Sequence, residues 1–182
     1  EDISGADAKE AVKNAKSVVK EAARHGLPAA EGTANIGDVS VHGFDKVSLK
    51  GVVVDGTLGR LATGTADVKD LYVNGDVTSL NIGDKINGAF INGDLGSLIA
   101  ERADKVTVLG DTTSITLQSS ANQIYLNGST HGDFQAVKAN KVFIDGSVVD
   151  FHVATTNQVV INGTVGDFGA MNVKNTTVDG NV

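Results

Sequence analysis

The chain has no cysteine and no tryptophan, one proline and one methionine among 182 residues. Without cysteine there is no disulfide framework and no thiolate for catalysis or metal binding. Aromatic residues make up only 4%, so any core must be mainly aliphatic. No apolar run approaches the length of a membrane span, and none is expected. The surplus of acid over base, a net charge of -7, repels phosphate backbones, so no nucleic-acid partner is expected. The chain also lacks HExxH, GxSxG, P-loop and GxGxxG motifs. It therefore offers no catalytic residue, no cofactor site and no metal site, and the expectation is a protein that is not an enzyme.

Glycine, by contrast, is abundant at 22 residues, and hydrophobic content is 41%. This mix suits a folded chain rather than a disordered one. The glycines keep a beat. They recur at Gly56, Gly75, Gly93, Gly110, Gly128, Gly146, Gly163 and Gly180, at spacings of 17 to 19. An earlier unit is expected to turn at Gly37. Before the glycine stands Asp or Asn in seven of the eight copies, with Leu109 the exception. After it comes Thr, Asp, Ser or Asn. These are turn residues, able to take left-handed backbone and to bond nearby N–H groups.

Around each turn the apolar positions alternate. Two before the glycine stand Val54, Val73, Ile91, Val108, Leu126, Ile144, Ile161 and Val178; four before stand Val52, Leu71, Ala89, Val106, Ile124, Val142, Val159 and Thr176. Leu61, Leu80, Leu98, Ile115, Phe134, Phe151 and Phe168 follow it by five or six. Period-two alternation means short strands. A period of 17 to 19 means that each copy is one turn of a coil, its strands stacked in parallel about 4.8 Å apart. The competing reading is a meander of hairpins, since Asn-Gly between β-branched residues is also a strong hairpin signal. In "VFIDGSVV" that hairpin would set Ile144 against Ser147, and every copy repeats such a mismatch. The expected fold is therefore all-β: a parallel β-solenoid of about eight rungs over residues 33–182, its like residues forming columns.

Residues 1–32 lack the period and form a separate segment. Ala8, Ala11, Val12, Ala15, Val18, Val19, Ala22 and Ala23 fall at helical spacing, and Gly26 and Pro28 end the pattern. An amphipathic α-helix is expected, as a cap or as a clip between subunits. Its apolar face, with Val12 and Val19, needs a surface. The position three before each glycine supplies one: Val53, Tyr72, Phe90, Thr107, Tyr125, Phe143, Val160 and Thr177 form an outward column rich in apolar residues. Such a column suits a contact, although β-propensity alone also favours these residue types.

Other features are weaker. His131 and His152 lie near Asp133 and Asp150, but no nucleophile accompanies them, and solvated side chains explain them. Asp133, Asp150 and Asp167 would stack in one column, where a calcium ion or plain solvation could relieve their repulsion. No outward column is rich in threonine, which sets aside an ice-binding array. Asn127, Asn162 and Asn175 head N-x-Ser/Thr sequons and are glycan candidates in a secreted chain. The turn chemistry alone would also generate them.

The "VNGD", "INGD", "IDGS" and "INGT" repeats resemble those of the bactofilin-like small-coil solenoids. That resemblance implies uncapped β-helices that assemble end to end into filaments. The N-terminal helix departs from that family's short tails. The sequons, with a first residue that is not Met, point outside the cell, where bactofilins are cytoplasmic. The last copy, "NTTVDGNV", ends two residues past its glycine, about half a rung short. An open sheet edge invites another strand. The expectation is a homopolymer joined head to tail through Thr176, Val178 and Val182, located outside the cell or at its surface. A monomeric adhesin or carbohydrate-binding module, with the helix as an ordinary cap, is the alternative.

Overall fold

A computed structural model describes residues 35–41 and 48–182. The expected helix, with Val12 and Val19, lies outside the described residues, as does the boundary near residue 33. The described residues hold thirteen strands: β1 (Val39–Val41), β2 (Ser48–Val54), β3 (Leu58–Thr63), β4 (Asp67–Val73), β5 (Val77–Ile91), β6 (Leu95–Val108), β7 (Thr112–Leu126), β8 (Thr130–Ala139), β9 (Val142–Ile144), β10 (Val148–Thr156), β11 (Val159–Ile161), β12 (Val165–Val173) and β13 (Thr176–Val178).

Every strand pair among the described residues is parallel, which removes the hairpin alternative. One ladder runs β1-β3-β5-β6-β7-β8-β10-β12, and a second carries β2, β4, β5, β6, β7, β9, β11 and β13. The long strands β5, β6 and β7 bend through the second corner and belong to both ladders. Eight strands in a ladder are separated by seven full steps, so the expected eight rungs amount to about seven turns.

The columns read from the sequence are the columns of the fold. Leu71 lies over Val52 and Val73 over Val54, and at the far end Thr176 lies over Val159 and Val178 over Ile161. Phe134, Phe151 and Phe168 are in register and stack with ring centroids 5.0 and 5.4 Å apart. Core volume shifts between columns along the stack. Where Phe134 and Phe151 replace the leucines of earlier rungs, Ala139 and Thr156 occupy the column that holds Val68 and Ile86 near the start. A close-packed interior requires such compensation.

One expected turn is misplaced. Gly37 does not sit beneath corner Gly56. Its neighbour Ile36 bridges Leu58, and Gly59 N–H donates to the Ile36 carbonyl. Gly37 thus lies beneath Gly59, inside β3, because the first step spans 22 residues (Val39 to Leu61) instead of 17 to 19.

The corner glycines also have a different cause from the one expected. None has a positive φ. Glycine is required there by the closeness of the rungs: a Cβ on Gly146 would lie 2.7 Å from the Gly128 carbonyl oxygen. The left-handed residues stand elsewhere, five before every corner glycine except Gly163. Gly51, Asp70, Gly88, Lys105, Gln123, Lys141 and Asn175 all have positive φ and form the second corner. That column was not read from the sequence.

Candidate assembly surfaces

Three surfaces bear on function: the polar corner, the outward apolar column and the open ends.

At the polar corner the short side chains bond from rung to rung. Asp94 N–H donates to Asp76 Oδ1 at 2.9 Å, Asp111 N–H to Asp94 Oδ1 at 2.8 Å, and Ser129 N–H to Asp111 Oδ1 at 2.8 Å. Ser147 N–H and Thr164 N–H continue the series onto Ser129 Oγ and Ser147 Oγ. The sequence led to bonds within a turn; the actual partner is the turn above. A second ladder runs through the residues before the glycine. Asn74 Nδ2 donates to Asp55 Oδ1, Asn92 Nδ2 to Asn74 Oδ1, and Asn162 Nδ2 to Asp145 Oδ1. Backbone donors offset part of the repulsion between stacked carboxylates. Asp111 is held below the usual carboxylate range, first by the His131 ring at 3.0 Å and then by Ser129 N–H.

The glycan candidates all lie on exposed corners. Asn127 accepts from Tyr125 Oη and donates to the Leu109 carbonyl, Asn162 donates to Asp145, and Asn175 is one of the left-handed residues. The histidines pair across rungs and not with their sequence neighbours: His131 with Asp111, and His152 with Asp167 at 3.3 Å. All four side chains are largely exposed. Asp133, Asp150 and Asp167 are in register as expected. No group of three or more His, Cys, Asp or Glu that could hold a metal forms among the described residues.

The outward column is continuous. Tyr72 stacks on Phe90 at 5.4 Å, Tyr125 stacks on Phe143 at 5.2 Å, and Val160 pairs with Phe143 below and Thr177 above. Burial, and secondarily the Asp145 charge, pushes the Tyr125 phenol above its ordinary pKa.

At the open end, β12 pairs only with β10 and β13 only with β11 among the described residues. Phe168 and Val178 are therefore only partly buried, whereas Phe151 and Ile161, one rung earlier, are fully covered. Thr176 is half-buried, its hydroxyl 2.8 Å from that of Thr156, and Val182 is exposed. At the other end β1 and β2 also pair on one side only among the described residues, leaving Val39, Leu49 and Val52 partly covered. No helix among the described residues is long and apolar enough to cross a membrane. No family model, curated protein or solved structure matches the chain.

Proposed function

We propose that the chain is the structural subunit of an extracellular filament, built by stacking solenoids head to tail. One observation carries the reading: the last described rung presents core columns that no strand among the described residues covers. The Phe168 and Val178 columns are the continuations of columns that are fully buried one step earlier. The first described rung carries the same columns in the same order, through Val39 and Val52, which are partly covered, and Val54, which is buried. A second copy laid on the end would pair Thr176 and Val178 with the Val52 and Val54 positions. Such a contact is heterologous, so each addition recreates the site and growth is open-ended. The resemblance of the Asx-Gly repeats to the bactofilin-like solenoids agrees with this reading. The exposed sequon asparagines agree with a location outside the cell.

Sedimentation of the full chain over a wide concentration range tests the contact. The expected result is mass that grows with concentration. A Val178→Glu variant, which places a charge on the exposed end, should stay monomeric with its strand content unchanged. Equal assembly by Val178→Glu and the unaltered chain would exclude this end as the joint.

A further inference from the structure

The face that carries the outward column is bordered by two rows of charge. On one side runs the second corner, the residues six and five before each corner glycine. In the rungs that contain β2, β9 and β13 this corner is Lys50-Gly51, Asn140-Lys141 and Lys174-Asn175, a single positive charge each. In the other five rungs it is uncharged, as in Asn122-Gln123, or balanced, as in Asp104-Lys105. On the other side runs the residue before the glycine. It is Asp55, Asp145 and Asp179 in the same three rungs, and Asn or Leu109 in the other five. A positive second corner therefore always shares its rung with a negative first corner, and a neutral one with a neutral one. The second row borders the column directly, since Tyr125 Oη donates to Asn127 Oδ1. Within the chain these charges are not joined: among the described residues no ion pair links Lys50 to Asp55 or Lys174 to Asp179. The remaining corner aspartates, Asp76, Asp94 and Asp111, stand beyond the glycine. Each accepts a backbone N–H from the next rung.

We infer that this face is the contact between two copies of the chain that lie side by side and point the same way. A two-fold axis parallel to the solenoid lays the column on itself. It also puts the lysine row of each copy over the aspartate row of the other, at the same rung height. Lys50 then meets Asp55 of the second copy, Lys141 meets Asp145 and Lys174 meets Asp179, each twice by symmetry. The contact is isologous, with an apolar centre and a charged rim. Copies laid in opposite directions would set lysine over lysine, which charge forbids. Area limits the strength of one such contact. Seven steps of about 4.8 Å along a face about 10 Å wide give on the order of 350 Å² a side. A stable pair buries about 800 Å² a side. A lone pair of copies therefore separates readily. The inference rests on the head-to-tail filament for its strength, because two filaments pointing alike repeat the contact at every subunit. The two-fold axis leaves both solenoid ends free for that growth.

Carbodiimide, which joins amines to carboxylates in contact, tests the face on the full chain. Light and isotope-labelled chains are mixed at high concentration, so a link of mixed isotope lies between copies. Lys50–Asp55 and Lys174–Asp179 links are expected, in the unaltered chain and in Val178→Glu alike. Lys50→Glu with Lys174→Glu should cut the Lys141–Asp145 link at least about fivefold, at unchanged strand content. Adding Asp55→Lys and Asp179→Lys to that chain exchanges the two rows and should restore it. Links in both chains with fibres in neither would remove the axial joint and retain this face. Absence of mixed-isotope links, with or without fibres, would overturn the assignment. So would a loss that the exchange of rows fails to restore.

Discussion

At the scale of single residues the fold is governed by what fits between rungs. The corner glycines stack so closely that any side chain meets the carbonyl of the glycine one turn away. Gly146→Ala should therefore destabilise the protein by about 1–3 kcal/mol, as overpacking does. Chemical denaturation would measure it, and an unchanged midpoint would contradict the steric account. Two core threonines give the opposite sign. Thr112 and Thr130 replace the aliphatic residues of a column that holds Val77, Leu95 and Val148. Their hydroxyls are buried without a hydrogen-bond partner. Thr112→Val should stabilise by about 1 kcal/mol, because an orphaned buried hydroxyl is lost and the shape is kept. A higher thermal midpoint checks it. The positions of these residues were legible in the sequence, since stacking puts like over like. The reason for the glycine was not. Asx-Gly looks the same whether the turn needs left-handed backbone or room for the neighbouring rung, and only the inter-rung distance separates the two.

At the scale of the strands and corners each rung has a glycine corner, Asx-Gly in all but Leu109-Gly110, and a second corner that is left-handed in seven positions. Strand positions came directly from the period-two alternation, and parallel pairing from the constant period. The left-handed corner did not. Its column contains Gly51, Gly88, Asp70 and Asn175, which favour that backbone, but also Lys105, Gln123 and Lys141, which do not. Ordinary side chains at three positions hid a signal that the other four carry. Exposed Lys105 adopts φ 56°. Lys105→Gly should hold or raise stability by up to about 1 kcal/mol, the relief of strain being offset by the flexibility of glycine in the unfolded chain. Lys105→Val should lower it by about 1–2 kcal/mol, since a β-branched residue tolerates positive φ poorly. Equal denaturation midpoints for the two variants would show that this corner is not strained. The first step of 22 residues was also illegible, because Gly37 mimics a corner glycine while lying beneath Gly59 of β3.

At the scale of the molecule a solenoid is a stack in which each rung is stabilised by its two neighbours. The last rung described here has one. Its partly covered Phe168 and Val178 are what a further rung would bury, and in the proposed filament the next copy would supply that rung. Sequence periodicity could disclose the stack but not its continuation, because a contact between copies leaves no period of its own. The outward column was legible as a list of residues, while its depth of burial came only from the coordinates. Electron microscopy of the concentrated full chain tests the central claim most directly. The account predicts unbranched fibres with a 4.8 Å rung spacing and a subunit repeat of about 35–40 Å along the axis. Separate particles of monomer size at every concentration would contradict it.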